Sequence, residues 1–546
     1  MIRHILVGLL IWCCQPAIGI GQTDHASLLP RQTVAAFSIT DGPAWSQSWT
    51  KTGLAKFLQL PKVANYAKSF RENAGNQSNL FNLLSDLKTE QVQRLTFALL
   101  PSNTRFEPIV LFDVKNANAA KQWIADNVAK AKLQRAAVEQ ANMGQLVVTR
   151  LRFQNDSTMF VTSISNTVVA ATSDSALNRL SQPSSSLLAS SEFTRTAGAS
   201  YPEIDSPVFW WFARPFEFMR FDSKAQSGAK RYELFRNEGF AAFQAMGGKG
   251  KIDPATNRMN SAGQILVAKP LQRSARLLDL PDKTSPALPS WCQSANTCGF
   301  LNLRTDQLLE NFSTFFDATV GEGEPGVFKL VLQDMQTQRD GPQINLQQEL
   351  MDALDGRAFF ATTSNGRSQV VVVGLPAKNS NAIVAAVNKL FQGDSRATDI
   401  STTNTRAWKI MPLDDGYGIK DPFVVGIRDG FLFIAPNIES LNNLYRTRSS
   451  GSKTSTSDGE FKTSNLFVQS RTQRFYESIH RQLNSKNLGP QLKNWLTRFQ
   501  LLDAVMNSDA SGLPDPSEAK SFLNSALQLT GKNNEFGWKI RIRSTR

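Results

Sequence analysis

Hydrophobic and polar positions along this 546-residue chain follow two periods. Apolar runs at 34–37, 94–98, 109–114 and 164–171 read as strands, while Ala120, Trp123, Ile124 and Val128 mark one helical face. A shift of 263 positions, which carries Ile109 onto Val372, lays these runs onto 297–300, 357–361, 372–377 and 427–434. The matching helix face is then Ile383, Ala386, Val387 and Phe391. A slip of one residue would turn that face by about 100°, so the phase is kept although identity is low. Ser165-Asn166 and Asp429-Gly430 each suit a two-residue hairpin turn, Asp-Gly the more strongly. A helix follows each turn (Ala176, Leu177, Leu180 and Ile438, Leu441, Leu444), then a Ser-rich break at 184–186 and 449–457. Beyond the breaks Val208-Phe209-Trp210-Trp211 matches Leu466-Phe467-Val468, and strands at 263–268 and 538–542 end the two copies.

These patterns predict an α+β protein of two tandemly duplicated lobes, each an antiparallel or mixed sheet with packed helices. Lobe 1 spans 22–268 and lobe 2 spans 291–546. The linker, 269–290, carries Pro270, Pro281, Pro286 and Pro289. Residues 370–373 are apolar throughout, which predicts a central strand covered on both faces. Residues 80–87 predict a helix packed on the sheet, and the alternating tail 539–543 a strand with a basic outer face.

The first 21 residues read as a cleavable signal peptide. Arg3 and His4 are basic, 5–12 (ILVGLLIW) is apolar, and Ala17, Gly19 and Gly21 offer cleavage between residues 19 and 22. Eight apolar residues are too few to cross a bilayer, which takes about 20. Cys13 follows Trp12 and Cys14 follows Cys13, whereas a lipid-anchor site wants a small residue before its cysteine. No later stretch reaches spanning length, so the expected location is periplasmic or extracellular, or associated with the envelope.

The formal charge of +14 points to an acidic envelope polymer, a lipid or a protein as partner. The plainer reading is a solvated basic surface. Lys and Arg form no run of five and do not interleave with aromatics, which argues against nucleic acid. After signal cleavage the cysteines are Cys292 and Cys298. In an oxidising compartment they are expected to pair, closing a short loop for roughly 2 kcal/mol. His25, in the frayed start, and His480, in a helical pattern with Phe475, Tyr476 and Ile479, read as structural or solvated. The two histidines left after signal cleavage argue against a Ser-His-Asp triad or a zinc site, and no G-x-S-x-G or Walker loop occurs. No cofactor is expected.

Paired carboxylates stay open as chemistry, but the spacing selects none. Asp414-Asp415-Gly416 with Asp421 lacks the twelve-residue calcium loop and reads as a hairpin tip. Trp45, Trp49, Trp210, Trp211 and Trp408, with Trp495, are candidate ligand-groove aromatics. Trp45 and Trp49 are one helical turn apart, a pair that suits a core better than a platform. Trp210 and Trp211 point to opposite faces of a strand, leaving one to be exposed.

Three segments carry a resemblance. They are Leu28-Leu29-Pro30 followed by 34–39, the stretch 50–61 (TKTGLAKFLQLP), and 339–346 (RDGPQINL). In these the chain resembles exported, uncharacterised planctomycete-type bacterial proteins of a family defined as a domain of unknown function. The resemblance implies export and no known activity, and it supplies no functional residues. Asn345 stands where that family has aspartate, and Arg339 replaces a small or polar residue. As local chemistry, Gly341-Pro342 makes a turn and Asn345 caps the next helix. The functional expectation is an exported envelope protein that binds or builds rather than catalyses, with a cleft between lobes as the ligand site. The alternative is a carboxylate-dependent hydrolase of wall or extracellular polymer, which would show two cleft carboxylates, one held protonated.

Overall fold

The computed structural model describes residues 24–545 apart from 75–91, 103–105, 155–156, 181–185, 222–225, 294, 365–368, 413–420, 447–462, 490–491, 494–495 and 498–500. The signal segment, the helix expected at 80–87, Asp414-Asp415-Gly416, Trp495 and most of both Ser-rich breaks lie outside the described residues.

The protein is α+β, and among the described residues twenty strands form one sheet whose ladders are antiparallel. The first half supplies β1 Ala35–Ile39, β2 Leu95–Pro101, β3 Phe106–Asp113, β4 Ala137–Met143, β5 Leu146–Arg152, β6 Thr158–Ile164, β7 Thr167–Ala171, β8 Phe209–Ala213, β9 Phe243–Asp253 and β10 Arg258–Val267. The second supplies β12 Thr297–Asn302, β13 Arg357–Ser364, β14 Gln369–Pro376, β15 Ala397–Asp399, β16 Arg406–Ile410, β17 Phe423–Arg428, β18 Phe431–Ala435, β20 Leu466–Arg471, β21 Ala526–Asn534 and β22 Gly537–Thr545. A separate ladder joins β11 Lys283–Thr284 to β19 Thr463–Ser464.

The first ten strands pair in the order β4-β5-β6-β7-β3-β2-β1-β8-β9-β10. The second ten pair as β15-β16-β17-β18-β14-β13-β12-β20-β21-β22. The two orders correspond strand for strand. Between β3 and β4 runs the helix Ala117–Leu133, and between β14 and β15 the helix Ser380–Phe391. Asn116 caps the first through Ala119 N–H and Asn379 caps the second through Ala382 N–H. The hairpin turns also follow the sequence. Ser165 has φ +56°, and Asp429 and Gly430 have φ +49° and +77°, as primed turns require.

The halves meet edge to edge. β10 pairs with β22 from Asn260↔Arg543 to Leu266↔Gly537. Gln264 and Asn534 exchange amide hydrogen bonds of 2.9 and 2.7 Å across this seam. A Cβ on Gly263 would stand 2.5 Å from the Gly247 carbonyl oxygen, so the seam's neighbour β9 fits only against glycine. Lys539 pairs with Glu203 at 2.8 Å. The basic outer face expected for the tail is therefore half covered: Arg541 is buried and Lys539 is engaged by the first half. The expected linker is equally well held. Ser274, Ala275 and Leu280 are buried, the turn Arg273–Leu278 packs on the helix Leu308–Thr319, and Asn465 and Asn533 donate to the Leu280 carbonyl.

Each half buries apolar residues on both faces of its sheet, but not equally. One transverse row of the first half reads Trp211–Phe37–Phe97–Val110–Ala170–Val161. The helix Gly42–Trp49, capped by Asp41 and started by Pro43, lays Trp45 over this row against Phe37 and Phe209. The corresponding row is Val468–Gly299–Phe360–Val373–Ile434–Val425. It departs by one residue from the constant shift: Phe37 answers to Gly299 rather than Phe300, and Ala170 to Ile434 rather than Phe433. Here Ile434 is 43% exposed, and Val371, on the same face, 48%. The strand expected to be covered on both faces is central, but one face is partly open. The physical reason is where the next helix goes: after β12, Leu308–Thr319 leaves the sheet to pack on the Arg273–Leu278 turn.

Burial alone would raise the Glu203 carboxyl, yet the hydrogen bond and charge of Lys539 hold it below the usual carboxylate range. A carboxyl so lowered stabilises the fold above its ordinary range and loses that contribution as pH falls through the lowered value. Glu203→Gln is expected to cost about 1 kcal/mol or less in urea unfolding at neutral pH. The difference from the native chain should vanish in acid; a pH-independent difference would contradict it.

Candidate functional site

The groove aromatics expected from sequence do not line a groove. Trp45, Trp49, Trp210, Trp211 and Trp408 are all buried. Trp45 and Trp49 stack at 5.5 Å, Trp210 packs on Phe193 at 5.1 Å, and Trp408 packs on Phe391 at 5.7 Å. Trp211 Nε1 donates to Ser261 Oγ at 3.0 Å. Both faces of β8 are covered, so neither Trp210 nor Trp211 is exposed. Alternation showed two faces but not that both would be roofed.

His25 is not frayed. It sits fully buried in the short helix His25–Leu28, which Asp24 caps through Ala26 N–H. Its Nε2 lies 2.8 Å from Asp113 Oδ1 and its Nδ1 2.7 Å from Thr96 Oγ1. Thr96 is bonded to Ser38 at 2.7 Å, and Thr167 donates to Asp113 Oδ1 at 2.6 Å. Hydroxyl, imidazole and carboxylate thus stand in the order of a hydrolase triad. All of them are sealed in the core, so no substrate reaches the hydroxyl. The arrangement gives these buried polar side chains partners, Asp113 Oδ2 excepted, and ties the start of the described chain into the sheet. His480 is also buried, against Tyr476 at 5.5 Å and Asn484 Nδ2 at 3.2 Å.

The expected disulfide is absent. Cys292 and Cys298 are free, buried thiols. Burial, with the neighbouring Cys298 thiol, pushes the Cys292 thiol well up. Cys292 lies in the helix Ser290–Gln293 and turns its sulfur toward the Phe360 carbonyl oxygen at 3.7 Å. The spacing was right for a loop, but helix and strand set the two sulfurs beside one another rather than at bonding distance.

The halves do enclose a cleft. It measures about 920 Å³ and is lined from the first half by Lys230, Glu233, Leu234, Asn237 and Glu238, and from the joining segment by Arg273. Thr314, Asp317, Val320 and Glu322 line it from the second half. Its two buried carboxylates serve the scaffold. Glu238 accepts from Thr314 Oγ1 and faces Arg273 at 3.4 Å. Asp317 accepts from Gly326 N–H at 2.8 Å and Phe328 N–H at 2.7 Å, holding the loop between two helices. Sequence periodicity selected none of these residues, because they meet only when the halves are joined. Among the described residues, no group of three or more His, Cys, Asp or Glu is placed to hold a metal ion, and no helix is long and apolar enough to cross a membrane.

Asn345 caps the following helix through Gln348 N–H at 3.1 Å, and Glu349 accepts from Asn345 N–H at 2.9 Å. Its place is structural and far from the Glu238 side of the fold in sequence. Compared with known protein families, curated proteins and solved structures, the chain matches none.

His25→Ala leaves Asp113 and Thr96 short of a buried partner and is expected to destabilise by about 2–4 kcal/mol, read by chemical denaturation. A chain starting at residue 22 should show no reaction of its thiols with a thiol reagent when folded, and reaction of both Cys292 and Cys298 in guanidinium. A thiol count of zero in guanidinium would restore the disulfide.

Proposed function

We propose that the chain is an exported, non-enzymatic binding protein built by tandem duplication, and that its ligand enters the cleft between the halves. The observation that carries this is the state of the cleft carboxylates. General acid–base or nucleophilic work needs a carboxyl free to exchange a proton or attack. Glu238 and Asp317 are instead engaged by a hydroxyl, a guanidinium and two backbone N–H groups. The charged lining as a whole is mixed in sign, Lys230 and Arg273 beside Glu233 and Glu322. Such a lining suits a polar ligand carrying both charges, for example a peptide-bearing envelope polymer, better than an acyl chain. Export is supported by the basic, apolar and small-residue order of the first 21 residues. The matching strand orders and helix caps support the duplication.

The test is thermal unfolding of a chain starting at residue 22 against peptidoglycan fragments, anionic oligosaccharides and free amino acids. At least one probe is expected to raise the melting temperature of the native chain and not of the double variant Lys230→Ala/Arg273→Ala. Stabilisation that survives in the variant, or none with any probe, would count against the cleft.

A further inference from the structure

Every sheet of this kind has edges, and this chain treats its own unequally. The strands β10 and β22 are consumed by each other at the seam. At the far end of the second half, β15 is three residues long and ends on Asp399, a short charged edge of the kind that resists further pairing. At the far end of the first half, β4 is seven residues long and pairs, among the described residues, only with β5. The β4–β5 ladder runs over seven positions while β5–β6 runs over four, and the outer strand is regular along its whole length. Most of β4 is exposed. Beside it Leu133 is 86% exposed and Val147 60%. An extended edge flanked by bare apolar side chains is a template for another strand.

We propose that β4 pairs antiparallel with β4 of a second copy of this chain, forming a twofold dimer. The strand is self-complementary. Centred on Gln140, the pairing sets Glu139 opposite Ala141, Val138 opposite Asn142, Ala137 opposite Met143, and Gln140 opposite itself. No like charges face each other, and the lone carboxylate, Glu139, is matched by its own Arg150 at 3.3 Å. The molecule already joins its halves in the same manner, corresponding strands meeting antiparallel at β10 and β22. Because β15 blunts the other end, assembly closes at two copies and does not grow into a filament.

Sedimentation velocity of a chain starting at residue 22, over a concentration series, is expected to show a monomer–dimer equilibrium. Gln140 is exposed, so Gln140→Lys and Gln140→Glu should fold with unchanged melting temperature. Each sets like charges opposite one another and should weaken the dimer at least about tenfold. Mixing the two variants should restore it, because the facing pair becomes Lys and Glu. A native chain that stays monomeric throughout overturns the proposal, as do single variants that dimerise like the native chain.

Discussion

The backbone ladder between β10 and β22 is the contact on which the rest depends. Without it the chain would hold two sheets, each with a bare inner edge, and no cleft. With it, twenty strands become one surface, and residues hundreds of positions apart become neighbours, such as Gln264 with Asn534 and Glu203 with Lys539. The ladder needs two things from the side chains. Glycines along β9 and β10 must let backbones approach, and Ile540 and Ile542 must bury beneath it. Hydrophobic burial supplies the drive, and backbone pairing decides which edge meets which.

Within each half, the same position is solved with different chemistry. A short helix precedes the first strand in both: His25–Leu28 before β1 and Ser290–Gln293 before β12. In the first half it plugs the sheet with an imidazole against a hydroxyl and a carboxylate. In the second it plugs it with Trp291, whose ring meets Phe359 at 6.5 Å and Phe433 at 5.1 Å. The cross-strand pair Ser38↔Thr96 of one half is Phe300↔Phe359 in the other. A buried polar plug is tolerated through its hydrogen bonds, and Ser38, Thr96, His25, Asp113 and Thr167 form one connected set, with Asp113 Oδ2 left without a partner. An aromatic plug needs only shape. The opposite face diverges too: Trp45 roofs the first half, and the second leaves Val371 and Ile434 partly bare.

Much of the fold was legible along the chain because strand alternation, helix phase and turn chemistry are local. The helix faces at Ala120 and Ile383, the Asn116 and Asn379 caps and the Asp429-Gly430 turn all sit where their spacing places them. The candidate site was not legible. Large apolar side chains in a sequence do not say what lies over them, so spacing alone leaves the tryptophans open between core and groove. Cysteine spacing suggests a pair, whereas a disulfide depends on the direction of two Cβ vectors. Glu238, Arg273, Thr314 and Asp317 carried no motif at all.

What the sequence determined by itself was periodicity: where strands alternate, where a helix turns one apolar face, and where elements start and stop. These follow from interactions within a few residues of each other. Only the tertiary structure decided which faces are roofed, which edges are joined and which carboxylates are already spent. Each of those depends on groups brought together across the whole chain, through the packing of a helix or the meeting of two sheet edges, and no local pattern encodes such a meeting.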